Sequence, residues 1–199
     1  MATLPIDRVA DVLKQLFFDA RTHRHWQARE VTDDALRAIY EAVKVAPTST
    51  NCSPGRFVFV KSKAAKSRLV ACLSPHDAES ARGAPVTVIV AQDLRFYDKL
   101  PKLFPECDLV ENFEGHHHLI AETAFRNSTL QGAYLIMASR ALGFDCGTIS
   151  GFDRPRLDAE FFPDGLWTAN FLVNLGYGDE RKLLPRLPRL SFDEACRVI

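Results

Sequence analysis

Pro47-Thr48-Ser49-Thr50-Asn51-Cys52-Ser53-Pro54-Gly55 runs straight into Arg56-Phe57-Val58-Phe59-Val60-Lys61, and this junction decides the fold. The first stretch holds two prolines and a run of hydroxyl and amide side chains, too polar and too broken for a helix or a strand. The second is β-branched and aromatic and reads as a strand. Thr48, Ser49, Thr50, Asn51 and Ser53 together can satisfy the polar edge of a flat heterocycle. Taken alone, such a loop is more commonly a capping loop.

Upstream, Leu36, Ile39, Tyr40 and Val43 recur on one face of a helix that starts after Thr32, an N-cap residue, and ends before Pro47. Val9, Val12, Leu13, Leu16 and Phe17 predict an earlier amphipathic helix over Ile6–Ala20. Between the two lies a basic loop, Arg21-Thr22-His23-Arg24-His25-Trp26. It reads either as a solvated turn or as an anion site, since a guanidinium pairs bidentately with a phosphate.

Downstream, Ala64–Leu73 predicts a short helix and Val86–Ala91 a strand buried on both faces. Phe96–Gly115 has no clean period and reads as an irregular excursion or lid. Leu119–Leu142 is a long helix, closed by Gly143, with apolar residues on more than one face. Asn170–Gly176 predicts a strand, and Arg181, Lys182, Arg186 and Arg189 make the tail basic. No G-x-G-x-x-G and no G-x-x-x-x-G-K-[ST] occurs, so any phosphorylated cofactor must be held by dispersed arginines and hydroxyls.

The whole composition narrows the partners. The 199 residues carry 25 basic and 25 acidic side chains, with neither the basic excess nor the basic face of a nucleic-acid binder. One core can bury about 70% of the unfolded surface at this length, so residues 1–199 are expected to form a single domain. Five scattered cysteines without a C-x-x-C pair suggest a reducing compartment. Asp7, Arg8, Asp11 and Lys14 interrupt Met1–Ala20, which therefore lacks a signal-peptide core. A cytoplasmic protein with no membrane span is the expectation.

The loop Pro47–Pro54 with its strand resembles the P-[ST]-S-x-N-x-x-P loop and strand of the FMN-dependent nitroreductase family. Arg21–Trp26 is similar to that family's basic R-[ST] motif. Ile149-Ser150-Gly151-Phe152 resembles its flavin-facing turn, and Leu184–Leu190 its C-terminal phosphate-binding run. Within the family, Leu103-Phe104-Pro105, Ala121–Ser128, Ser150–Asp153, Leu187–Phe192 and Glu194-Ala195-Cys196 resemble the branch that reduces malonic semialdehyde to 3-hydroxypropanoate in pyrimidine (uracil) degradation.

The resemblance implies an α+β nitroreductase-like fold, a central, mostly antiparallel sheet flanked by helices. It implies an intertwined homodimer with FMN at the subunit interface, and NADPH or NADH as hydride donor to a small-molecule substrate. Arg21, with Thr22 and His23, would hold the flavin phosphate and ribityl chain, and Arg186 and Arg189 would close on the phosphate. Arg24 and His23 would face the N1 and C2 edge. Pro47, Thr48, Ser49, Asn51 and Ser53 would line the ring from the partner subunit, and Ile149, Ser150 and Gly151 would sit near N5. No protein nucleophile is required. Where many relatives carry an asparagine and a lysine three apart, this chain has Asp77 and Ser80, with Arg82 as a stand-in cation. A small carboxylate substrate would want a cation near N5, with Arg126 or Arg95 as candidates.

Other groups carry less. Consecutive side chains in His116-His117-His118 point apart, against a metal site. Cys52 and Cys146 lie near the flavin loops without an adjacent base and read as small fillers. Phe96, Tyr97, Phe104 and Phe113 suit either a substrate lid or a core. The alternatives to malonic semialdehyde reduction are a broad-specificity nitroaromatic or quinone reductase and a flavin-binding protein without reductase turnover.

Overall fold

The computed structural model describes residues 6–199; the first five residues of the Met1–Ala20 stretch read as lacking a signal peptide lie outside the described residues. Four strands form one antiparallel sheet: β1 (Gly55–Val60), β2 (Val86–Asp93), β3 (Asp145–Ile149) and β4 (Trp167–Gly176), in the order β1-β2-β4-β3. The helices are α1 (Ile6–Leu13), α2 (Asp33–Val43), α3 (Lys63–Val70), α4 (Pro75–Gly83), α5 (Leu100–Leu103), α6 (Val110–Phe113), α7 (His117–Ala141), α8 (Arg154–Phe161) and α9 (Phe192–Ala195).

The period-2 alternation of β2 and β4 builds two cores. Val86, Val88 and Val90 of β2, with Val173 and Leu175 of β4, face α2 and α7. Ile89, Ala91 and Leu172 point to the opposite face, against Leu69 of α3, Ala81 of α4 and Leu157 of α8. Thr87 and Asn174, directly opposite each other in the register, belong to this second face by the same alternation. A third, smaller core joins Cys52 with Phe96, Leu100, Phe113, Ile120 and Ala124.

Three sequence expectations are corrected here. The excursion Phe96–Gly115 is not irregular: it holds a 3-10 turn at Phe96–Lys99, α5 and α6, and Phe96 packs edge-on against Phe113 with ring centroids 5.0 Å apart. The four aromatics are largely core. The first helix changes character, α-helical to Leu13 and π-helical over Lys14–Phe18. Finally, α4, β3 and α8 are elements the hydrophobic pattern did not announce. As the sequence indicates, Thr32 caps α2 by accepting from the Ala35 amide at 3.2 Å, and Gly143 follows α7 at φ +82°, a conformation glycine adopts freely. Among the described residues no helix is long and apolar enough to cross a membrane.

Candidate functional site

The basic loop is held along the edge of β3. Thr22 forms a parallel bridge with Cys146, and the His23 amide donates to the Cys146 carbonyl at 3.0 Å. The approach is so close that a Cβ on Gly147 would overlap the His23 carbonyl oxygen. Further on, Trp26 bridges Gly178 and the Gln27 amide donates to the Tyr177 carbonyl at 2.8 Å. His23 itself turns inward. Its side chain is 4% exposed, with Nε2 3.4 Å from Asp145 Oδ1, and its ring lies where a Gly178 side chain would be. Burial raises the Asp145 carboxyl, but the bonds it accepts from His23 and from the Gly178 amide outweigh that, leaving it below the ordinary range.

The chain then returns over this loop. Arg21 donates to the Leu184 carbonyl, and Arg186 donates to the carbonyls of Phe18 at 2.6 Å and Ala20 at 3.1 Å. Arg189 donates to the carbonyls of Leu187 and Pro188. These pins close a cleft of about 850 Å³ lined by Arg21, Thr22, His23, Arg24, Arg186 and Arg189, together with His76, Arg140 and Lys182. No ion pair among the described residues involves Arg21, Arg24, Arg186 or Arg189. Arg56, Arg68, Arg95, Arg126 and Arg181, by contrast, each face a carboxylate. A guanidinium has five donors, so bonds to one or two carbonyls leave the cleft arginines free to take an anion.

The loop Pro47–Ser53 is built just as firmly but does not line this cleft. Its anchors come from α7. Asn127 Oδ1 accepts from the Ser49 amide at 2.8 Å, Gln131 Oε1 from the Gly55 amide at 2.7 Å, and Tyr134 donates to the Pro47 carbonyl at 3.1 Å. Thr48 Oγ1 accepts from the Ser53 amide, and Asn51 donates to the Leu103 carbonyl. Thr50, Asn51 and Ser53 all have positive φ, at 48°, 52° and 40°. Non-glycine residues take that left-handed conformation only when surroundings dictate it. Within one chain, therefore, the loop and the basic cleft are separate.

The turn after β3 lies against α4. The Gly151 carbonyl accepts from the Ser74 amide at 2.9 Å, and a Cβ on Gly151 would overlap Asp77 Oδ2. Ile149 is buried, whereas Ser150 is exposed and lines a second cavity of about 550 Å³ with Phe152, Asp153, Arg154, Pro155 and Asn170. Asp77 is bonded to Ser74 Oγ at 3.0 Å, and buried Ser80 accepts from Asn174. Arg82, in the last turn of α4, is not among the residues lining the cleft. Arg126 is held by Glu122 and Arg95 by Asp98. Burial pushes the Cys52 thiol up to about 11 and the Cys146 thiol to about 12, which suits packing and not nucleophilic attack.

Sequence reasoning missed His76 and Arg140. His76 meets Arg24 in the cleft across 52 residues of chain, and Arg140 donates to the Leu16 carbonyl at 2.8 Å. Neither belongs to a motif. Only α4, itself unforeseen, brings His76 to the site.

Known proteins place this architecture. The chain is 57% identical over 187 residues to a protein of Polynucleobacter asymbioticus, covering 94% of this chain and 95% of the relative, which bears the provisional name NADH dehydrogenase/NAD(P)H nitroreductase. A Rhodopseudomonas palustris protein with the same provisional name is also 57% identical, with the same coverage. A Bacillus subtilis crystal structure, provisionally assigned as a nitroreductase, superposes with a TM-score of 0.87 at 16% identity, covering 98% of this chain and 100% of that one. One from Exiguobacterium sibiricum, solved in complex with FMN, superposes with a TM-score of 0.82 at 16% identity, covering 100% and 99%. Residues 19–177 match the model of the nitroreductase family, and the chain belongs to that family.

Proposed function

We propose that this chain is an FMN-binding NAD(P)H oxidoreductase that works as a homodimer and reduces malonic semialdehyde to 3-hydroxypropanoate. The observation that carries the flavin reading is the cleft of about 850 Å³ whose Arg21, Arg186 and Arg189 are bonded to backbone carbonyls and to no carboxylate. A dianionic phosphate is the natural partner for such a set, and the volume suits a cofactor site. The provisional names of the relatives in Polynucleobacter and Rhodopseudomonas favour a nicotinamide donor.

In this reading Arg21, Arg186 and Arg189 bind the phosphate, and Thr22 flanks it. His23, fixed by Asp145, keeps the loop on β3. Arg24 supplies positive charge where the reduced ring gains negative charge. Ser150 and Gly151 border the reacting edge and Ile149 anchors their turn. The chemistry supplied by bound FMN is hydride transfer, and no side chain need attack the substrate.

A second copy completes the site. Pro47, Thr48, Ser49, Asn51 and Ser53 are rigidly presented yet lie away from the cleft of their own chain, so they suit the flavin of the other copy. Val9, Val12, Leu13 and Phe17 are between 41% and 52% exposed, and Leu184, Leu187, Leu190 and Phe192 between 63% and 74%. Apolar faces of that extent want covering, and two intertwined chains would cover them.

The malonic semialdehyde reading rests on the segments Ala121–Ser128, Ser150–Asp153 and Leu187–Phe192. The relatives' provisional names favour a nitroaromatic acceptor instead. Anaerobic reduction of the bound flavin by NADPH and by NADH, then reoxidation by each acceptor, decides. Malonic semialdehyde is expected to reoxidise it fastest, and a faster nitroarene or quinone would install the second reading. A purified dimer that takes up no FMN would overturn both.

A further inference from the structure

Arg24 reaches into the cleft and meets His76 of α4, Nη1 against Nε2. The guanidinium has donors only, so this bond exists only when His76 Nε2 is the acceptor. An imidazole can fill that role through an Nε2 that carries no proton. A donor in the same place, such as an ammonium, would push Arg24 away.

The location decides what Arg24 serves. α4 is fixed at its first turn to the Ser150–Gly151 corner, through the bond from the Ser74 amide to the Gly151 carbonyl and the packing of Asp77 on Gly151. His76 lies between those two positions in the chain, so α4 ties the Arg24–His76 pair to that corner. Arg21, Arg186 and Arg189 are gathered instead around the carbonyls of Phe18, Ala20 and Leu184–Pro188. Three arginines suffice for a phosphate at that end. Among the residues the sequence offered for the ring, His23 is bonded inward to Asp145, Ser80 is buried against Asn174 and Arg82 does not line the cleft.

We propose that His76 is a positioning residue, which by accepting a hydrogen bond fixes the Arg24 guanidinium as the cation stabilising the reduced, anionic flavin ring. The proposal rests on the flavin reading above and adds to it a residue that acts through another. It gives the two ends of the cleft different roles, with the three arginines binding the phosphate and the Arg24–His76 pair setting the redox poise.

The test compares three variants of the full-length holoprotein by two-electron midpoint potential, and the corresponding apoproteins by FMN and riboflavin titration. His76→Ala is expected to lower the potential by about 30 mV, which is tenfold weaker relative stabilisation of the reduced ring in a two-electron couple. The ratio of FMN to riboflavin affinity should stay unchanged, since the phosphate end is untouched. His76→Gln, which offers an amide oxygen as acceptor, should restore the potential. His76→Lys, a donor only, should fall at least as far as His76→Ala. A His76→Lys potential at or above that of the natural protein would show that position 76 contributes charge and would overturn the proposal, as would a His76→Ala potential that does not move. A changed FMN to riboflavin ratio would assign the pair to the phosphate and overturn it equally. If the unsubstituted chain binds no FMN, the flavin reading itself fails, a result distinct from these.

Discussion

Two sets of cations without carboxylate partners, one lining an open cleft and one in a buried layer, differ in depth, and that difference gives them opposite roles. In the cleft, Arg21, Arg186 and Arg189 donate to a few backbone carbonyls and keep further N–H groups free toward solvent. Beneath α4, Lys66 is 8% exposed and donates to the Ala81 carbonyl at 2.9 Å and to Thr87 Oγ1 at 2.7 Å. Thr87 donates in turn to Asn174 Oδ1 at 2.7 Å, and Asn174 donates to Ser80 Oγ at 3.1 Å. Each group in that chain ends on another group of the protein. The network runs from α3 through Thr87 and Asn174 to Ser80, so it fixes α4 to the sheet and, through α4, places His76. Open cations cost little and attract an anion; a buried one is tolerated only because its bonds are completed internally.

The largest expected effect is at the open end. Replacing Arg21 and Arg186 together by Ala removes two charge-assisted partners of a dianion and should weaken FMN binding by about a thousandfold. Fluorescence titration measures this. Riboflavin, which lacks the phosphate, supplies the control: its affinity should change far less. Equal losses for both ligands would mean that the arginines only hold the C-terminal run in place, and the contrast between the two regions would collapse.

An intermediate effect is expected from the buried end, and it appears as pH dependence. Burial pulls the Lys66 ammonium from 10.5 down to about 7. The native chain therefore sheds this proton first. Between about 7 and 10.5 the unfolded chain holds the extra proton, so stability should rise with pH there, by at most about 1.4 kcal/mol per unit. Below that window the contribution is level. Lys66→Met keeps the length and removes the titration, so urea unfolding at several pH values should show the slope in the natural chain and its loss in the variant. Parallel curves would mean that burial does not lower the Lys66 ammonium in the folded chain.

What the sequence discloses follows the same division. α2, α7 and the inner strands announce themselves, because bulky apolar residues recur at helical or strand spacing, and the loop at Pro47–Ser53 does so by its proline and its run of hydroxyl and amide side chains. α4 does not. Its buried residues are Ala78, Ser80 and Ala81, too small and too polar to make a hydrophobic stripe, and it packs through hydrogen bonds. β3 reads Asp-Cys-Gly-Thr-Ile, with the glycine demanded by the His23 backbone and not by any strand preference. α8 buries only Leu157. One missed element carries one of the two missed residues: without α4 nothing in the sequence brings His76 to Arg24. The inward turn of His23 was equally hidden, since its partner Asp145 lies on the unforeseen strand.

The smallest expected effect separates basic sequence from basic site. Arg181 belongs to the same basic tail as Arg186 and Arg189, and proximity in the chain gives it the same standing. The structure does not. Asp179 accepts from its Nε at 2.8 Å and from its Nη2 at 2.9 Å, its side chain is 88% exposed, and it is absent from the cleft lining, where Lys182 is present. A guanidinium already neutralised two residues away and pointing into water offers little to an anion elsewhere, and such exposed pairs add little to stability. Arg181→Ala should therefore leave FMN affinity within about twofold, since long-range attraction is screened at ordinary ionic strength. A loss comparable to that of Arg186→Ala would show that the cleft senses the summed charge of the tail, so that placement of individual guanidiniums matters less than their number.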